Sequence, residues 1–219
     1  MHVLIINGSP RIKKFSNTDK IIEKFCKGYC ESGNTVEVFE VSDRKQWDGI
    51  RAAFASNKNI LIALPLYVEN IPGLLMEFLE TVEPKNDGTK ISYILQSGFA
   101  EGCQLRCGER YLEILTKELG CEYGGTLVKG DNFSIRLFEG EQRDKITDPY
   151  IKMGSVFVSD GNFESEECKK FTGPERFPWH IRLLVGLIFK SVARKGFNSA
   201  AKQWGCTMPL NDRPYLNDV

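Results

Sequence analysis

From residue 2 to residue 128 the chain alternates strand-like and helix-like segments without interruption, and no other feature narrows its possible folds so far. Residues 2–7, 35–41, 59–64, 90–96 and 121–128 read as strands. The first, built on Val3, Leu4, Ile5 and Ile6, is a continuous apolar run of the kind buried on both faces of a sheet. Between the first two strands, Ser16-Asn17-Thr18-Asp19 offers a helix N-cap with an acid three residues on. Ile21, Ile22, Phe25 and Tyr29 then supply an apolar face, and Gly33 a stop. Residues 47–57, 73–82 and 105–119 read as further helices, the last closed by Gly120. Parallel strands need long crossovers, and such crossovers are right-handed. Strict alternation therefore predicts an α/β fold, a doubly wound parallel sheet of five strands, and of the strand orders open to it 2-1-3-4-5 is the one expected. Its ligand crevice belongs beyond the carboxyl ends of strands one, three and four, where the strand order reverses.

After Val128 the alternation ceases. A helix is expected over 151–159 and a second over 177–197, where apolar residues stand at 181, 184, 185, 188, 189 and 192 and basic residues gather toward the end. The chain therefore divides into a sheet domain, 1–128, and a mostly helical extension, 129–219, packed on the same domain or on a partner subunit. The apolar run 183–189 lies between Arg182 and Lys190 and falls far short of the roughly 20 residues that span a bilayer. It calls for a cover: the sheet domain, a second subunit, or a membrane surface. A second subunit is the preferred expectation.

Charge excludes some partners. With 29 basic and 29 acidic residues there is no global field to attract nucleic acid. The chain opens on a strand and shows no export signal, so its seven cysteines are expected as free thiols in a reducing, cytoplasmic setting. Cys26 and Cys30, and likewise Cys103 and Cys107, are four apart on helical segments. Free cysteine packs like a small apolar group, so these pairs are read as packing rather than as metal ligands. His180, beside Trp179, is likewise read as packed.

Three loops carry the chemistry. The first, from Gly8 to Thr18, holds hydroxyls on Ser9, Ser16 and Thr18, the Asn17 amide and Arg11 at the start of a helix, where anions are favoured. Gly8 is expected to keep a side chain out of the ligand's way. Rival phosphate sites are missing: there is no G-x-G-x-x-G, no G-x-x-x-x-G-K-[ST], and no cysteine between Gly8 and Thr18. The second loop leaves strand three as Pro65-Leu66-Tyr67-Val68 and runs to Pro72, stiff and aromatic, a wall for a planar heterocycle. The third, Ser97-Gly98-Phe99, leaves strand four and lets backbone approach a ligand closely. Glu101 and Gln104 beyond it fit a helix start as well as a ligand contact.

Taken in order, Gly8-Ser9-Pro10-Arg11 with Ser16-Asn17-Thr18, then Pro65-Leu66-Tyr67, then Ser97-Gly98-Phe99 resemble the NAD(P)H-dependent FMN reductase branch of the flavodoxin-like superfamily. The resemblance covers residues 2–128 and implies a flavodoxin-like sheet. It implies that Ser9, Arg11, Ser16, Asn17 and Thr18 bind the FMN phosphate, that Pro65, Leu66, Tyr67 and Val68 line the isoalloxazine, and that Ser97, Gly98 and Phe99 complete the pocket. It further implies an oxidoreductase that takes hydride from NADH or NADPH and passes electrons to a quinone, a flavin, an azo or nitro compound, or a metal ion. The flavin N5 would carry the chemistry, with no catalytic side chain and no resident metal. A homodimer or higher homo-oligomer is implied too, since a neighbouring subunit commonly completes such sites. The alternative is a non-enzymatic electron carrier like flavodoxin. Carriers of that kind are shorter and strongly acidic, whereas this chain is neutral and extends well past the sheet.

Overall fold

The computed structural model describes residues 1–213; positions 214–219 of the expected extension lie outside them. The chain forms two compact units, Met1–Arg176 and the segment from Phe177 onward. In the first, five strands form one sheet: β1 (His2–Asn7), β2 (Thr35–Glu40), β3 (Asn59–Pro65), β4 (Lys90–Gln96) and β5 (Glu122–Lys129). All neighbours are parallel, as the alternation predicts, and the order is the expected β2-β1-β3-β4-β5. β2 and β5 are the edges, and no residue of β2 (Thr-Val-Glu-Val-Phe-Glu) is fully buried.

The interior strands bury both faces, and each residue's parity decides which core it joins. Leu4 and Ile6 of β1 meet Ile60, Ile62, Leu64, Tyr93 and Leu95 on one face. Helices α2 (Trp47–Ser56), α3 (Gly73–Leu79) and α4 (Arg106–Glu118) cover them with Ile50, Phe54, Leu75, Phe78 and Leu112. Val3 and Ile5 meet Leu61, Ala63, Ile94 and Leu127 on the other face, under α1 (Asn17–Cys30). Helix α3 stops at Leu79, short of the expected 82, where the Thr81 hydroxyl donates to the Phe78 carbonyl at 2.7 Å and competes with helix continuation.

Helix α1 covers only part of its face. The rest is supplied by residues beyond the sheet, in α5 (Gly140–Thr147), α6 (Pro149–Asp160) and α7 (Glu166–Thr172). Tyr150, Met153 and Phe157 of α6 join Phe25 and Tyr29 of α1 in one buried cluster. The first compact unit thus runs past 128 to Arg176 because α6 completes a core that α1 leaves open. The two helices touch at Gly28 and Gly154: a Cβ on Gly28 would stand 1.8 Å from the Ile151 carbonyl oxygen, and one on Gly154 2.2 Å from that of Phe25. Only bare backbone fits there.

Among the described residues the second unit holds one helical run. Helix α8 (Trp179–Ile188), a π-helical turn (Phe189–Ala193) and α9 (Arg194–Gln203) follow one another with αR backbone at both joints. His180 is exposed, edge-on to Trp179 with ring centroids 5.8 Å apart, rather than packed as the sequence suggests. Among the described residues its own unit has no second layer to bury it.

Candidate functional site

The carboxyl ends of β1, β3 and β4 open onto a cavity of about 400 Å³, within the ~300–1,000 Å³ usual for small-molecule sites. Ser9, Arg11, Asn17 and Thr18 line one side, Pro65, Leu66, Tyr67 and Val68 another, and Ser97, Gly98 and Phe99 a third. The three loops singled out in the sequence therefore meet in space. Ser16 is absent from the lining; it is buried, and its hydroxyl accepts the Asp19 N–H at 3.1 Å as the N-cap of α1. Ser16→Ala should then cost about 1 kcal/mol of stability, read as a lower urea midpoint, while leaving the cavity lining intact.

Local hydrogen bonds set each loop. The Ser9 N–H donates to Asn7 Oδ1 (3.1 Å) and the Arg11 N–H to Ser9 Oγ (3.3 Å), which folds the first loop back on the end of β1. In the second loop Tyr67 and Asn70 exchange both backbone bonds (2.8 and 3.1 Å), closing a tight turn with Val68 and Glu69 at φ 45° and 68°. That left-handed conformation is costly for a β-branched valine, and Val68 projects from the turn 87% exposed. In the third loop Ser97 Oγ accepts the Phe99 N–H at 3.1 Å.

A fourth segment, after β5, joins them. Asn132 is buried; its N–H donates to the Ser97 carbonyl (2.9 Å), and its amide donates to the Lys129 carbonyl (3.1 Å) and the Tyr150 hydroxyl (3.0 Å). Burial pushes the Tyr150 phenol up, so it stays a neutral acceptor for that bond. The Asn132 carbonyl in turn accepts Asn17 Nδ2 at 2.8 Å, which ties the start of α1 to the far end of the sheet. This segment also brings Phe133 and Arg136 to the cavity, the guanidinium lying 4.1 Å from the Phe133 ring centroid.

Three lining residues escape the sequence reading: Gln96, Phe133 and Arg136. A signal existed for Gln96, a polar residue closing an otherwise apolar strand; it is buried and donates to Thr18 Oγ1 at 3.3 Å. None marked Phe133 and Arg136, which reach the cavity only through the turn held by Asn132. Gly8 has a different role from the expected one. A Cβ there would meet Leu75 Cδ2 at 2.7 Å, so the glycine makes room for the α3 side of the core rather than for a ligand.

No cysteine is among the residues lining the cavity. Burial pushes the Cys26 thiol up to about 12 and raises those of Cys121 and Cys168 as well, so all three stay protonated. Among the described residues no group of three or more His, Cys, Asp or Glu side chains is placed to hold a metal ion.

No protein-family model and no curated protein matches the chain. Solved structures do. An FMN-dependent NADH-azoreductase from Bacillus anthracis, in complex with FMN, aligns at 17% identity with a TM-score of 0.52, covering 73% of this chain and 98% of that one. An NAD(P)H:quinone oxidoreductase from Methanothermobacter marburgensis aligns at 15% identity and 0.54, covering 72% and 96%. The Trp repressor binding protein from Bacillus subtilis aligns at 14% identity and 0.50, covering 71% and 97%. At such identities the likeness is one of architecture, and with the strand order it gives the chain a flavodoxin-like fold.

Proposed function

We propose that the chain is an FMN-dependent NAD(P)H oxidoreductase, transferring reducing equivalents from a reduced nicotinamide to a small acceptor such as a quinone, a flavin, or an azo or nitro compound. The observation that carries this reading is the division of the cavity. One side gathers Ser9, Arg11, Asn17 and Thr18 at the N-terminus of α1, and the rest presents Leu66, Tyr67, Phe99 and Phe133. A phosphate suits the first part and a planar ring system the second. The similar azoreductase and quinone oxidoreductase structures support the same reading.

The donor set fits the group. The first N–H groups of a helix have no acceptor within it and favour an anion, and Arg11 adds a positive charge beside them. Within the second and third loops the N–H groups of Leu66, Tyr67, Asn70, Ile71 and Phe99 are taken up by the protein itself. Those of Val68 and Gly98, both in the lining, would be available to bond the edge of a ring. Tyr67, Phe99 and Phe133, each 42–50% exposed, would exclude water from the ring once it is seated. When bound, FMN supplies hydride acceptance and electron release, so no acid, base or nucleophile is required of the chain. The residues here bind, orient and exclude water.

Purified protein loaded with FMN, kept free of oxygen and mixed with NADH or NADPH, should lose its yellow absorption rapidly with at least one of them. Bound flavin that neither nicotinamide reduces would instead mark an electron carrier. Protein that fails to take up FMN would end both readings.

A further inference from the structure

Within its own unit the helical run 179–203 leaves its apolar side chains uncovered. Leu183, Leu184, Leu187, Ile188, Phe189, Val192 and Phe197 are each 45–71% exposed, and no residue of α8, the π turn or α9 is buried. A patch of this kind on a water-soluble chain marks an interaction surface. Its charge is one-sided. Although the whole chain balances at 29 and 29, the stretch 177–211 contains Arg182, Lys190, Arg194, Lys195 and Lys202 and not one acid.

The two halves of the run differ. Helix α8 is apolar nearly all round, with Arg182 as its only charge. In α9 and its flanks, Ala193, Phe197, Ala200 and Trp204 follow the i, i+4, i+7, i+11 spacing of one face, and Lys195, Asn198 and Lys202 fall on the opposite face. Trp179 and Trp204, 77% and 86% exposed, stand at the two ends. Tryptophan is the side chain that settles at the level of lipid headgroups. Among the described residues no helix is long and apolar enough to cross a membrane. We propose that this helix lies flat in the surface of an anionic bilayer, its leucines and aromatics among the upper acyl chains and its five cations on lipid phosphates.

A second copy is the poorer occupant. Two such helices packed through their apolar faces would bring five cations each into one small bundle, with no acid between residues 177 and 211 to pair them, and that repulsion opposes association. An anionic lipid surface answers both halves of the pattern at once.

The test uses the full chain with vesicles of phosphatidylcholine alone and of phosphatidylcholine mixed with phosphatidylglycerol. The protein should co-sediment with the mixed vesicles and stay in solution with the neutral ones. Tryptophan emission should shift to the blue on binding, and added salt should weaken it. Leu187→Glu and the triple variant Lys190→Glu, Arg194→Glu, Lys195→Glu should each lower partition at least about ten-fold. Circular dichroism and FMN uptake matching the parent chain would show that the first unit is still folded in each variant. Protein that remains in solution with the mixed vesicles overturns the proposal. So does a stable dimer in sedimentation velocity that Leu187→Glu converts to monomer, since the occupant would then be a second copy.

Discussion

Gly28→Ala is expected to destabilise the protein by about 3 kcal/mol, the upper end of the range for overpacking a core. The added methyl would stand 1.8 Å from the carbonyl oxygen of Ile151 and 2.7 Å from its carbonyl carbon. Both are backbone atoms of α6, so no side chain can swing aside; the helices must separate. Separation loosens the cluster in which Phe25 and Tyr29 pack at a tilt against Phe157, with ring centroids 5.8 and 6.1 Å away. Urea unfolding of the two proteins measures the loss directly. Gly49→Ala is the control: it also lies in a helix, but its Cβ would come no nearer than 3.5 Å to the Phe39 ring. There the better helix propensity of alanine should raise stability by roughly 0.5–1 kcal/mol. Equal midpoints for Gly28→Ala and the parent chain would mean that α6 does not lie against α1 in solution.

Gly130→Ala should act on the site more than on the fold. Its Cβ would stand 2.1 Å from the Phe99 carbonyl oxygen, the acceptor of the Asp131 N–H at 2.8 Å. Relief requires the third loop to move away from the segment after β5, and Phe99 and Phe133 both line the cavity. On the proposed reading, FMN should bind at least about ten-fold more weakly, the equivalent of ~1.4 kcal/mol. Quenching of flavin fluorescence during titration reports it. Unfolding of the FMN-free protein should change less than for Gly28→Ala, because the Phe99 loop is half-exposed and has room to shift. An unchanged affinity would separate the third loop from the binding site.

The sheet was legible because its interior strands are apolar on both faces and their helices carry their own start and stop signals. Ser16 with Asp19 and the run Ile21, Ile22, Phe25, Tyr29 define α1 before any packing is known. The cavity walls were legible for a related reason: strand ends in a doubly wound sheet are addresses, and unusual residues at an address stand out. Ser16 shows the limit of that reasoning. A hydroxyl in a phosphate-friendly loop and a hydroxyl capping a helix look the same in one dimension, and here geometry makes it the cap. Phe133 and Arg136 were hidden because their placement depends on Asn132 bonding three partners from distant parts of the chain, Asn17, Ser97 and Tyr150. Gly8 misled because the need for a small residue is plain in sequence while the atom that imposes it, on Leu75, is not.

The bond between Asn17 and Asn132 has a consequence for how the molecule is made. Its partners are 115 positions apart, an interval that a ribosome takes on the order of ten seconds to translate. Throughout that interval α1 has been synthesised, yet the partner that fixes its first residue, and the α6 surface that covers Phe25 and Tyr29, do not exist. The nascent chain therefore carries an uncovered aromatic face until synthesis passes Phe157. Chaperone demand should peak in that window, and any small molecule held by all four loops is loaded only at its close.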